Sequence, residues 1–147
     1  MAFDLKFTGL AYEKQEHEAE IIIGSFSEKL LIPTTYWDVL DYQKQWRSAA
    51  NTILTSEPNS ASALITSMYE PKNANFITLW SIYREGGTVF IQNKLLFMKD
   101  IKGSFKLEKM HEYIGSRVNV NQDGEKISEW SCTIDELKEF RDRMQPS

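Results

Sequence analysis

Cysteine is nearly missing: Cys132 stands alone in 147 residues, so no internal disulfide can staple the chain and its fold has to rest on a buried core. No stretch of about 18 apolar residues and no basic-then-apolar amino-terminal segment occurs, which sets the expectation of a soluble, cytosolic protein without a membrane partner. An excess of positive charge is missing too. Seventeen basic residues face 21 acidic ones, for a net charge of −4 and a sequence pI near 5.3. That balance argues against a polyanion as the main partner and mildly favours a basic one, because long-range fields steer opposite charges together. No internal repeat, low-complexity tract or linker is visible, so a single domain over residues 1–147 is expected.

Catalytic constellations are also absent from the sequence. The two histidines, His17 and His111, have no partner at metal-ligand spacing such as H-E-x-x-H or C-x-x-C and read as surface residues. Gly86-Gly87 reads as a hairpin turn and not as a phosphate loop. Gly24-Ser25-Phe26 lacks the second glycine of a nucleophile elbow. Cys132, two residues after Trp130, reads as core and not as a reactive thiol. Asn119, Asn121, Asp123 and Gly124 imitate positions 1, 3, 5 and 6 of a calcium loop. Its twelfth position, which needs a bidentate Glu, is Trp130. The segment therefore reads as a turn using Asp-Gly chemistry. No cofactor, no metal and no reaction of its own are expected.

Aromatic residues, by contrast, make up 12% of the chain and include four Trp, and each large side chain fully buried is worth about 1.5–3 kcal/mol before entropy is subtracted. Many fall in the central stretch 61–98. It reads as three strands, Ala61–Tyr69, Asn75–Tyr83 and Thr88–Met98, joined by turns at Glu70–Asn73 and Arg84–Gly87. In the middle one Phe76, Trp80 and Ile82 point one way and Ile77, Leu79 and Tyr83 the other. A sheet apolar on both faces needs a cover on each.

The flanking segments can supply those covers. Phe3, Leu5 and Phe7 alternate with polar residues and predict an outer strand over Met1–Leu10. Tyr12–Glu20 carries four glutamates in nine residues and reads as a solvated turn with a charged edge that discourages strand aggregation. A meeting place for a basic partner is the alternative. Ile21–Ser25 and Lys29–Ile32 predict a hairpin around Phe26-Ser27-Glu28. Thr35 and Asp38 have capping-box spacing, and Val39, Tyr42, Trp46, Ala49 and Ile53 form one stripe of a helix running to about Thr55. Asp38, Asp41, Gln45, Ser48 and Thr52 form a polar row beside it. Asp38 suits the helix dipole as a cap, whereas Asp41 is left without a structural role. Ser56–Ser60 breaks the helix. Lys106–Ile114 predicts a short second helix through Leu107, Met110 and Ile114. Lys126–Cys132 predicts a further strand, and the capping box Thr133–Glu136 opens a third helix with Leu137, Phe140 and Met144 inward, before Pro146 and Ser147 fray. The class expected is α+β: antiparallel β-sheets with three packed helices.

Trp80, Tyr83, Phe90 and Phe97 allow an alternative function, a single-stranded nucleic-acid-binding module stacking bases on its sheet. Such binders add a basic groove, and the stretch offers Lys94, Arg84 and Lys99 against Glu70, Glu85 and Asp100. Core packing explains the aromatics with fewer assumptions.

Four segments carry a family resemblance. Pro33-Thr-Thr-Tyr-Trp-Asp-Val-Leu-Asp-Tyr-Gln-Lys-Gln-Trp46, Ser67-Met-Tyr-Glu-Pro71 with Asn75-Phe76, Val89-Phe-Ile-Gln-Asn93 and Lys126-Ile-Ser-Glu-Trp130 resemble contact-dependent growth inhibition (CDI) immunity proteins. They are most similar to the type that neutralises a colicin-like, rRNA-cleaving ribonuclease domain. The likeness runs from about Ile21 to Met144. It implies a cytoplasmic bacterial inhibitor that binds the C-terminal toxin domain of a CdiA-type adhesin. It also implies a Whirly-like arrangement of two sheets, without nucleic-acid binding. Within these motifs Trp46, Phe76 and Val89 read as core. Asp41 and Glu70, with Glu85 and Asp123 as loop acids, are the expected contacts for toxin cations.

Overall fold

Strict alternation at the amino end produces what its period dictates. In the computed structural model, which describes residues 2–12, 15–56 and 60–144, Phe3–Tyr12 is strand β1. It pairs antiparallel with β2 (Glu16–Ile23), which pairs with β3 (Phe26–Pro33), giving a three-stranded sheet in the order β1-β2-β3 with β1 on its edge. Phe3 faces Ile23, Leu5 faces Ile21 and Phe7 faces Ala19. This parity is buried, while Lys6 and Lys29 flank Glu20 on the other.

Two expectations for this region need correction. The acidic run is mostly strand, since β2 already begins at Glu16; Glu13 lies outside the described residues. The hairpin turns at Gly24-Ser25 and not at Phe26–Glu28. A two-residue turn needs positive φ, which Gly24 supplies at +62°. Phe26 is thereby free to pair with Ile23 and stack on Trp130 at 4.2 Å between centroids.

Helix α1 (Val39–Thr55) starts one turn later than Thr35 would place it. Asp38 is the N-cap: its carboxylate accepts from Asp41 N at 2.8 Å, and the Asp41 carboxylate accepts from Asp38 N at 3.0 Å. Asp41 therefore does have a structural role. The stripe Tyr42, Trp46, Ala49 and Ile53 is buried as expected, with Val39 half-buried. Gln45, expected on the polar row, is buried with the stripe. The breaker Glu57–Asn59 lies outside the described residues.

The central stretch forms a meander, β4 (Ala61–Ser67), β5 (Phe76–Glu85) and β6 (Thr88–Phe97), to which β7 (Trp130–Thr133) adds last, in the order β4-β5-β6-β7. The last strand is shorter than the expected Lys126–Cys132. Val120 bridges to Lys126, so the residues before Trp130 pair within their own small turn and not with β6. One face of the meander meets the three-stranded sheet through Phe26, Trp80 and Trp130, whose rings lie 4.2–6.4 Å apart. Phe7 stacks on Trp46 at 5.2 Å, tying α1 to β1. The opposite side is covered by helix α2 (Met110–Ile114), preceded by a 3-10 turn at Leu107–Lys109 and seated on β4 through buried Met110. Helix α3 (Ile134–Arg143) opens with the expected Thr133/Glu136 capping box, buries Leu137 and Phe140, and sets Phe140 edge-on to Phe3 at 4.9 Å. Met144 is partly buried against the same core. Pro146 and Ser147 lie outside the described residues.

Candidate partner-binding surface

The finish of each sheet edge decides which surfaces remain available. Arg84 N donates to Ser60 O at 2.8 Å, so even-numbered residues of β4 address β5 and odd-numbered ones turn their backbone groups outward. Helix α1 meets those outward groups with side chains. Gln45 Nε2 donates to Ala63 O (2.7 Å), its Oε1 accepts from Ile65 N (2.9 Å), and Trp46 Nε1 donates to Ile65 O (2.7 Å). Just past the strand, the Tyr42 hydroxyl accepts from Met68 N (2.9 Å) and donates to Pro33 O (2.6 Å). Burial raises the pKa of this phenol above its ordinary value, with the bond from Met68 opposing, so the hydroxyl stays a donor. The buried amide of Gln45 thus acts as a fifth strand in miniature.

At β6 the arrangement differs. Met98 N donates to Asn75 O (2.9 Å) and Ile134 N to Gly87 O (3.1 Å), so here the odd-numbered residues face away from β5. Strand β7 covers only Thr88–Ile91. Beside the point where that cover ends, Gln92 Nε2 donates to Val118 O (3.0 Å) and to Glu129 Oε2 (2.7 Å). Arg117 grips Glu129 with two bonds of 2.6 and 2.7 Å, reaches Glu85 at 3.1 Å and lies over the Phe90 ring at 3.7 Å. The Arg117 guanidinium holds the Glu129 carboxyl below the ordinary carboxylate range, against the opposing effect of burial and with help from Gln92. This strap fastens the 115–129 segment to the sheet. Beyond it, Asn93, Leu95 and Phe97 are exposed.

The four acids expected to meet a partner do not form one cluster. Asp41 sits in the α1 capping box, and Glu70 opens the turn before β5, where it accepts from Asn73 Nδ2 at 3.0 Å. Glu85 closes the far end of β5 and is tied to Arg117. Asp123 lies exposed in the 119–126 turn, where Asn121 Oδ1 accepts from Asp123 N and Glu125 N, both at 2.9 Å. The ten residues of β5 separate Glu70 from Glu85 by roughly 30 Å at about 3.3 Å per residue.

Sequence reasoning missed the apolar component of the surface. Phe76, assigned to the core, is 40% exposed and faces Phe97, 39% exposed, with ring centroids 5.8 Å apart; Leu95 nearby is 52% exposed. Trp46 and Val89 are buried as expected. The period-two pattern fixed which way Phe76 points along its strand; it gave no sign of where the opposing sheet stops.

Other candidate groups are committed to structure. Trp80 and Tyr83 are buried and Phe90 lies beneath Arg117, which removes three of the four aromatics from any base-stacking platform. Burial pushes the Cys132 thiol up to about 12, with Glu136 adding to the effect, so it remains protonated. The Nδ1 of His17 lies 3.1 Å from Thr34 Oγ1. A cleft of ≈ 780 Å³ is lined by Arg84, Glu85, His111 and Arg117 among others. Arg84 donates from Nε to Gly86 O and from Nη1 to Ile53 O.

Two layered antiparallel sheets and three packed helices define a fold of the α+β class. The CdiI N-terminal domain family matches residues 32–140, and the chain belongs to that family. It is 36% identical over 122 residues to the immunity protein CdiI of Enterobacter cloacae subsp. cloacae, covering 83% of this chain and 82% of that one. Its structure is similar to a chain of the solved CdiA-CT/CdiI toxin and immunity complex from Enterobacter cloacae, with a TM-score of 0.87, 32% identity and 97% of both chains covered. The family resemblance carried by the four motifs is borne out.

Proposed function

We propose that this chain is a cytoplasmic immunity protein that binds the C-terminal toxin domain of a CdiA-type adhesin and protects its own cell from growth inhibition. The observation that carries the reading is the likeness, over nearly the whole of both chains, to a protein solved in a toxin and immunity complex. The chain acts by occupying a surface and catalyses nothing. Its partner is a basic nuclease of the rRNA-cleaving type: an enzyme that grips RNA presents cations, and a chain of net charge −4 complements it. The acids Asp41, Glu70, Glu85 and Asp123 contribute as rim charges that speed encounter, while apolar anchors set the residence time.

The test is co-purification of the chain with the inactivated C-terminal domain of the adhesin encoded beside it, together with growth of cells expressing the active domain. A complex at nanomolar concentration and restored growth are expected. No complex at micromolar concentration, or killing that proceeds unchanged, overturns the proposal. Exchanging Glu70→Lys and Asp123→Lys together is expected to slow association about tenfold at low salt. Stopped-flow mixing at two ionic strengths measures this, and an unchanged rate removes these acids from the interface.

A further inference from the structure

The distal half of β6 has an open edge. Asn93, Leu95 and Phe97 each turn an N–H and a C=O away from β5. Among the described residues, no strand pairs with them on that side, because β7 ends its pairing at Ile91. Their side chains are exposed, and Leu95 and Phe97 form an apolar surface with Phe76. The one charged side chain between Asn93 and Phe97, Lys94, is drawn to the other face, where Nζ donates to the Tyr83 hydroxyl at 2.7 Å. Lys99 Nζ lies over the Phe97 ring at 5.9 Å, at the end of the strand; from Asn93 to Leu95 the exposed edge carries no guarding charge on this face, which makes it a template for another strand.

We propose that this half-edge is the docking site for an extended segment of the CdiA toxin domain, which adds to the sheet beside β6 and sets apolar side chains against Phe76, Leu95 and Phe97. The inference rests on the immunity reading above. Charge selects this occupant over a second copy: two chains of net charge −4 repel, whereas a cationic domain is attracted. The turn that opens at Glu70 leads into Phe76 at one end of the half-edge, and the turn bearing Asp123 leads toward Trp130 at the other, so acids stand at both approaches. Added main-chain hydrogen bonds supply affinity, and the pattern of alternate side chains supplies discrimination among toxins.

Amide hydrogen exchange of the full chain, alone and with the inactivated toxin domain, tests this. The amides of Asn93, Leu95 and Phe97 are expected to exchange freely in the isolated chain and to slow at least tenfold in the complex. The double variant Leu95→Arg and Phe97→Arg is expected to weaken the complex at least 100-fold. Leu31→Arg, at a residue 55% exposed on the outer face of the other sheet, leaves it unchanged. A tight complex in which these three amides exchange as before overturns the docking site and leaves the immunity function standing. Absence of any complex with the unaltered chain overturns both. Protection that grows with concentration of the chain alone assigns the edge to a second copy and overturns the proposal.

Discussion

The four-stranded sheet has two sides, and the chain finishes them in different ways. Along β4, every outward backbone group named above at Ala63 and Ile65 meets Gln45 or Trp46 of α1. Along the distal half of β6, three residues offer the same groups beside exposed Leu95 and Phe97. A polar side chain on a packed helix closes an edge by supplying the hydrogen bonds a neighbouring strand would make. An edge left without one stays competent for recognition. The difference separates a side that the fold closes with its own side chains from a side that it leaves open.

If that contrast is correct, damage to the β4 side destabilises the fold and damage to the β6 side does not. Gln45→Leu keeps the apolar packing but strands Ala63 O and Ile65 N, each worth about 1–3 kcal/mol when buried without a partner, so a loss of about 2–6 kcal/mol is expected in urea unfolding. A loss below about 1 kcal/mol would mean that water reaches this edge. Trp46→Phe removes only the donor to Ile65 O and some volume, and is expected to cost about 1–3 kcal/mol.

The strap beside Gln92 yields a pH dependence. Because Arg117 holds the folded-state pKa of Glu129 below its ordinary value of 4.5, the stabilisation is complete above the unfolded value and is lost as pH falls through the folded one. The advantage of the unaltered chain over Glu129→Gln, about 1–2 kcal/mol at pH 7 for a charge-assisted pair of this exposure, should shrink as pH drops below about 4.5 and disappear in stronger acid. Parallel denaturant titrations at pH 7, 4 and 3 measure it; a pH-independent difference contradicts the assignment. The smallest effect belongs to the open edge itself. Leu95→Lys is expected to change stability by no more than about 0.5 kcal/mol. A large loss would show that this half of β6 is covered after all.

Much of the fold was legible because periodicity reports which side of an element is apolar. Strand patterning located β1, β4, β5 and β6, and period 3.6 the buried stripe Tyr42, Trp46, Ala49 and Ile53. The α3 capping box was legible because both partners lie within four residues. Gln45 was misread, since a polar letter on a helix looks solvated until a strand edge is known to lie against it. Asp38 was legible as a capping residue; the box was placed one turn early, at Thr35, because Thr35/Asp38 and Asp38/Asp41 have the same spacing, and spacing alone does not choose between them. Phe76 was misplaced because alternation fixes the direction of a side chain but not the extent of the layer opposite. The acids proposed for the partner were readable as charges. Their dispersal over the start of α1, the turn before β5, the end of β5 and the 119–126 turn was not.

By itself the sequence determined the class of the fold, the aromatic core, the absence of a disulfide framework and the motifs that place the chain in its family. Those properties follow from local periodicity and from residue types, which need no knowledge of distant neighbours. Only the tertiary structure decided that Gln45 closes one edge, that Arg117 and Glu129 fasten the segment beside Gln92, and that Leu95 and Phe97 remain open. Each of these depends on which residues far apart in the chain meet, and hydrogen-bond satisfaction at a sheet edge is a property of that meeting.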